Sequence, residues 1–205
     1  MTTLQAAVNA ATPGDTLIVN GICYGDTVIS KDLTIRGRYY AAGAHFPHQE
    51  ALNGTGTRGS VVTIPAGVSV SLSSLAVQGG TGGPGATGAF TVGFTVGGGI
   101  DNAGALVLGD VLITGNTASA GGGIYIGGGT VTASELQIAG NTAAGDGGGS
   151  FISSGSSLTL APSSSVIANS AGHNGGGIFT DLGAALTLGS GTRISGNLPT
   201  NIFTL

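Results

Sequence analysis

Few residues in this chain are of the types that do chemistry, and their densest group lies in one stretch. His45-x-x-His48-x-Glu50 could supply three metal ligands. Pro47 between the histidines keeps a helix from facing them together, and no Cys lies nearby. Ordinary polar loop residues are therefore the stronger reading, and no metal or other cofactor is expected. Tyr39, Tyr40 and His48 beside Arg38 form the one group that could move protons. Tyr40 and His48 are the catalytic candidates, and Arg38, Tyr39, His45 and Glu50 could contact a ligand. The acids Asp15, Asp26, Asp32, Asp101, Asp110, Asp146, Asp181, Glu50 and Glu135 are scattered. Lys31, Arg36 and Arg38 cluster, with Arg36 expected to meet the Asp26/Asp32 side in a surface salt bridge. Cys23 alternates with Ile22 and Tyr24, which reads as a small core residue rather than a reactive thiol.

Two further sets recur once per repeat. Asp101, Tyr125, Phe151 and Phe179 alternate with Ile100, Ile124, Ser150 and Ile178. If the latter point inward, Tyr125, Phe151 and Phe179 make an outward ladder whose ring faces could bind a sugar chain. The competing reading is an internal aromatic stack with Asp101 at its edge. Thr132, Thr159 and Thr187 form a second column, a regular hydroxyl array of the kind that ice-binding surfaces present, but Val107 and Ser71 interrupt it.

What must position these residues is a repeat. GGGI opens at Gly97, Gly121 and Gly175, with the variant GGGS at Gly147, and each unit closes on Asn116, Asn141, Asn169 or Asn197. The last apolar residue before each close gives the register Ile35, Val77, Ile113, Ile138, Val166, Ile194. A preceding short strand gives Val70/Leu72, Leu106/Leu108, Val131/Ala133, Leu158/Leu160 and Leu186/Leu188. Alternation of this kind marks strands, and repeats of this length that cannot bury their apolar faces alone must stack. No window outside the N-terminus carries a helical period, so the fold class is all-β. The architecture is a right-handed parallel β-helix, a single-stranded solenoid of about six coils with an N-terminal capping helix. The in-register Asn side chains are expected to form a ladder of amides inside one turn.

One domain is expected over 1–205. The N-terminal cap is 1–15, and the first coils, 16–80, carry a loop at 38–51. An inserted loop follows at 81–98, then regular repeats at 99–197 and a C-terminal cap at 198–205. Thr2-x-x-Gln5 suggests a capping box for a helix over 3–11 that lids the open end. Both insertions are expected to leave after the same strand, after Ile35 and after Val77, so the groove between them is the candidate pocket. Ile202, Phe203 and Leu205 are expected to fold over the other end, with Pro199 ending strand pairing.

The units TGNTASAGGGIYI and SGN…GGGI resemble the Gly-rich repeats of bacterial right-handed parallel β-helix proteins, including the GGA(I/L) and FxxN repeats of polymorphic outer membrane proteins. LQAAVNAATPGDTLIVNGICYGDTVISKDLTIRG looks like the opening coil of pectin-lyase-like proteins. The resemblance implies the fold and a secreted or cell-surface location. It does not choose among adhesins, lyases and epimerases, and no lyase or epimerase motif matches residue by residue.

Composition narrows function further. Charged residues are 7% of the chain and the formal charge is −4, without a basic patch, so nucleic acid is not an expected partner. No stretch of 18 apolar residues occurs, so membrane insertion is not expected. The chain opens directly in MTTLQAAVNAA, which leaves a cytoplasmic protein or removal of a signal peptide; the resemblance favours the second. A non-enzymatic structural or adhesive/carbohydrate-binding module is the first expectation, with a polysaccharide or cell-surface component as partner. A carbohydrate-active lyase or epimerase using the 38–50 loop is the alternative.

Overall fold

A computed structural model describes residues 3–38, 50–85 and 93–205. Seven coils stack into a right-handed parallel β-helix, one more than the repeat count suggests. The first coil holds β1 (Thr16–Val19), β2 (Ile22–Tyr24) and β3 (Thr27–Val28). The second holds β4 (Leu33–Gly37), β5 (Ala51–Asn53) and β6 (Val62–Ile64). In the third, β7 (Ser69–Gln78) runs unbroken round a corner and is followed by β8 (Ile100–Asn102). The fourth and fifth repeat this plan with β9 (Ala105–Thr114), β10 (Thr117–Ala118), β11 (Ile124–Ile126), β12 (Thr130–Ala139), β13 (Thr142–Ala143) and β14 (Ser150–Ile152). The sixth is β15 (Ser157–Leu160), β16 (Ser165–Ile167), β17 (Ser170–Ala171) and β18 (Ile178–Thr180). The last is β19 (Ala185–Leu188), β20 (Arg193–Ser195) and β21 (Ile202–Thr204).

All pairing between these strands is parallel, each strand bonding the coil above and the coil below. At about 4.8 Å per layer the rod is roughly 30 Å long. Leu106, Leu108, Val111 and Ile113 of the fourth coil are buried, as are Leu158, Leu160 and Val166 of the sixth. They form one continuous column that no coil could shield alone. The register Val77–Ile113–Ile138–Val166–Ile194 is a single vertical file.

Ile35 does not belong to that file. It pairs with Leu17 above and Leu72 below, and the place above Val77 is taken by Leu52, with Cys23 above that. The reason is that Leu33-Thr34-Ile35 fits either file by alternation, and the long segment after it delays the second half of the coil until β5. The first insertion therefore interrupts a coil between its two half-strands, whereas the second leaves after the second half-strand, beyond Gln78. The two start from different corners, which corrects the expectation of a shared one.

The asparagines stack as the sequence implies. Asn141 Oδ1 accepts from the backbone N–H of Asn116 (3.1 Å) and from its Nδ2 (3.0 Å). Asn169 and Asn197 repeat the pair of bonds one and two coils below. Each amide also reaches a carbonyl of the adjoining strand, as Asn141 Nδ2 does to Ile113 (2.9 Å). The side chains thus satisfy backbone groups of a turn buried too deeply for water. Beside them the Gly98, Gly122, Gly148 and Gly176 turns lie so close that a Cβ on Gly122 would enter the carbonyl oxygens of Thr142 and Gly148.

Both ends differ from expectation. The helix α1 spans Leu4–Ala10 and is capped by Thr3, not Thr2; the Thr3 hydroxyl accepts the Ala6 N–H at 3.3 Å. Gln5 is not part of a capping box. Its Oε1 accepts the Val28 N–H (2.7 Å) and its Nε2 donates to the Val28 carbonyl (3.2 Å), which gives the exposed edge of β3 a substitute partner. Leu4 and Val8 seal the core beneath. At the other end Ile202 and Phe203 do not fold over the opening. They continue the stack as β21, paired with Ile178 and Phe179.

Candidate functional site

Residues singled out in the first insertion fall into two groups. Tyr39, Tyr40, His45 and His48 lie outside the described residues, as does the tip of the second insertion, so the groove proposed between the loops lies outside them too. Arg38 is exposed at the end of β4, its backbone N–H donating to Val19 (2.8 Å). Glu50 is not a surface loop residue. It is 3% exposed and immediately precedes β5, whose register with β7 (Ala51 beside Ala76) sets Glu50 level with the core residue Leu75. Cys23 faces the same file as Leu52 and is half-buried; burial raises its thiol pKa, which suits a packing residue.

The aromatic column is real and longer than expected. Tyr125, Phe151, Phe179 and Phe203 occupy successive layers, with ring centroids 5.3, 4.7 and 5.6 Å apart and near-parallel planes. Asp101 stands above Tyr125 in the same file. The Ile column beside them faces the core, so the rings lie on the outer side of their sheet. Little of their surface meets water, however: Tyr125 is 7% and Phe179 5% exposed. Val96 and Ala120 cover Tyr125. Burial pushes the Tyr125 phenol pKa up, Asp101 and Asp181 push the same way, and a hydrogen bond with Ser153 opposes them. The rings act as a second packed spine, in which Phe151 and Phe203 are half-buried. Phe203 could have been found from the sequence, since Ile202-Phe203-Thr204 repeats Ile178-Phe179-Thr180.

The carboxylates tie the scaffold together. Asp15 accepts the Thr12 N–H (2.8 Å), and that bond chiefly holds its pKa below the usual carboxylate range. Asp32 accepts from Ser69 N–H (2.7 Å) and Asp146 from Asn174 N–H (2.8 Å), each joining neighbouring coils. Asp26 takes the Thr57 hydroxyl (2.5 Å). Asp26 and Asp32 are thus engaged away from Arg36, contrary to the expected salt bridge. Lys31 Nζ donates to the Asn9 and Ala11 carbonyls at the end of α1. No group of three or more His, Cys, Asp or Glu that could hold a metal forms among the described residues.

What the fold does present is a flat wall. The outward file of the long sheet reads Thr16, Thr34, Ser71, Val107, Thr132, Thr159, Thr187 from first coil to last. Beside it run Ser69, Ala105, Thr130, Ser157 and Ala185. From the third coil onward neither file carries a charge; in the second coil Asp32 stands above Ser69 and Arg36 two residues beyond Thr34. Val107 is 53% exposed at the centre. An open depression of about 400 Å³ lies on this wall, lined by Asp32, Thr34, Ser69, Ser71, Ala105 and Val107 among others. The sequence pointed to the threonines of the last three coils but not to the continuity of the file up to Thr16, because the early coils were placed one half-strand out of register.

No family model matches the chain, and no curated protein matches it. Among solved structures, the pectin methylesterase from Aspergillus niger in deglycosylated form is similar, with a TM-score of 0.44 and 14% identity over 100% of this chain and 77% of that one. The β-helix assignment rests on this chain's own ladders of parallel strands.

Proposed function

We propose that this chain is a non-enzymatic, secreted or surface-associated β-helix that serves as a structural and adhesive module, holding an extended polysaccharide or similar cell-surface polymer against the wall of the long sheet. The observation that carries the reading is the outward file from Thr16 to Thr187, itself uncharged and flanked from the third coil onward by small residues. Hydroxyls and methyls repeating at the layer spacing of about 4.8 Å suit a ligand that itself repeats, and a wall uncharged from the third coil onward gives up little hydration there when covered. The engagement of the carboxylates in turns and between coils supports the same reading, because it leaves those groups to the scaffold.

Pull-down on insoluble polysaccharides and a glycan array test it. Binding should be retained by the natural chain and reduced at least about tenfold by Thr132→Lys with Thr159→Lys, which place two cations on the wall. Binding unchanged in that double variant would remove the wall from consideration. Release of unsaturated sugar from acidic polysaccharide, abolished by Tyr40→Ala with His48→Ala, would replace the proposal with catalysis at the 38–50 loop.

A further inference from the structure

The depression on the long wall has a composition that the rest of the wall lacks. It lies over the two outward files where they pass through the second, third and fourth coils. Asp32, Ser69 and Ala105 line it along the edge file, and Thr34, Ser71 and Val107 along the central one. Two steps of about 4.8 Å make it roughly 10 Å long. Its volume of about 400 Å³ is that of a small-ligand site. Val107 and Ala105 give it an apolar floor, and hydroxyls and one carboxylate stand beside them.

That carboxylate is Asp32, the only charged side chain in either file. Two bonds to neighbouring coils fix it. Its carbonyl accepts the Gly14 N–H and its Oδ1 accepts the Ser69 N–H, both at 2.7 Å. The side chain is exposed, and among the described residues no group donates to Oδ2. One carboxylate oxygen is thus held in place by the scaffold while the other is left to a ligand.

We infer that this depression is the primary subsite of the wall and selects a neutral polysaccharide, seating pyranose C–H faces on Val107 and Ala105 while a sugar hydroxyl donates to Asp32 Oδ2. The inference rests on the reading of the wall as a polymer-binding face. An apolar floor with a few oriented polar groups suits a neutral ligand, and a hydrogen bond to a charged acceptor is a strong one. A uronate chain would set its own carboxylate against Asp32, and Arg36 is not among the residues lining the depression. A chain with a cation on every unit would find one counter-charge in the two files, and its other cations would lose hydration without a partner.

Immobilised chains of glucan, mannan, galactan and N-acetylglucosamine test this with the full protein. Each is set beside its counterpart oxidised at C6, and the last also beside its deacetylated form. At least one neutral chain should bind at least about fivefold more tightly than its uronate at low ionic strength, with the preference shrinking in about 0.5 M salt. Asp32→Asn keeps an acceptor for Ser69 and should weaken neutral binding at least about fivefold while bringing the uronate within about twofold of it. Asp181→Asn, which removes the same charge beside another sheet, should leave the preference unchanged. A uronate or deacetylated chain bound as tightly as its neutral counterpart overturns the inference, and so does a preference unaltered in Asp32→Asn. If binding is then still lost in Thr132→Lys with Thr159→Lys, the wall stands and the subsite alone falls; if no chain binds, both fall. The preference of the natural chain decides the matter even if Asp32→Asn fails to fold.

Discussion

Replacing Asn141 by Ala removes the centre of the amide ladder. Its Oδ1 is the acceptor for the backbone N–H of Asn116, a fully buried residue, and the substitution leaves that donor without this partner. Asn116 Nδ2 loses one of two partners and keeps the Val77 carbonyl. Below, the Ile113 carbonyl and Asn169 Oδ1 each lose a donor. One orphaned donor at about 1–3 kcal/mol, plus three weakened bonds at somewhat under 1 kcal/mol each, gives roughly 3–5 kcal/mol. For a chain of this size that corresponds to a fall in Tm of roughly 10 °C. Urea unfolding followed by circular dichroism at fixed temperature measures the free energy, with Thr142→Ala as the control on an exposed neighbour. Asn141→Asp sharpens the comparison. It keeps the acceptor for Asn116 but sets a buried carboxylate against Asn169 Oδ1. Its folded-state pKa is therefore raised, so stability should recover as pH falls through that raised value, the recovery being complete by about pH 4, the unfolded value. If Asn141→Ala costs no more than the Thr142 control, the ladder is not what joins the coils and the reasoning fails.

Three other outcomes follow from single positions. Ala168 sits at φ +54 where the matching places in other coils are Gly115, Gly140 and Gly196, so Ala168→Gly should raise stability by about 0.5–1 kcal/mol despite glycine's larger backbone entropy, as read by Tm. Gly122→Ala should lower stability by more than about 2 kcal/mol, since the new Cβ meets only backbone oxygens that cannot turn aside; thermal unfolding within 1 °C of the natural chain would contradict the close stacking. Tyr125 has a folded-state pKa above its unfolded value, so its contribution is complete below about pH 10 and is lost as pH rises through the folded pKa; the late part of the phenolate absorbance titration should vanish in Tyr125→Phe.

Much of this architecture could be read from residue order alone, because the physics that selects it is periodic. Ile113, Ile138, Val166 and Ile194 share one alternation, and each is followed three residues later by Asn. Ile35 went astray because Leu33-Thr34-Ile35 satisfies two files equally. The better match, Leu158-Thr159-Leu160 and Leu186-Thr187-Leu188, was visible but had to compete with the pull of the last-residue alignment. The C-terminal strand was hidden by the ordinary expectation that an open core attracts a lid. A packed aromatic stack was one of the two readings the sequence allowed, but the cover of Val96 and Ala120 over Tyr125 could not be read from it. Glu50 was missed for the opposite reason: a carboxylate is the wrong type for a core-facing place, so nothing in its identity pointed inward.

Coil length carries its own lesson. Asn116 and Asn141 are 25 residues apart, and Asn141, Asn169 and Asn197 are 28 apart, yet the bonds between them are the same. The difference is one residue at each of three corners: before the glycine turn, before the long sheet and within its bend. Corners absorb the change and strands do not. Excision of 142–169 would set Asn141 directly upon Asn197, each finding the partner it already knows how to bond. The molecule is in that respect a ruler, cut or extended by whole graduations while every remaining mark keeps its place.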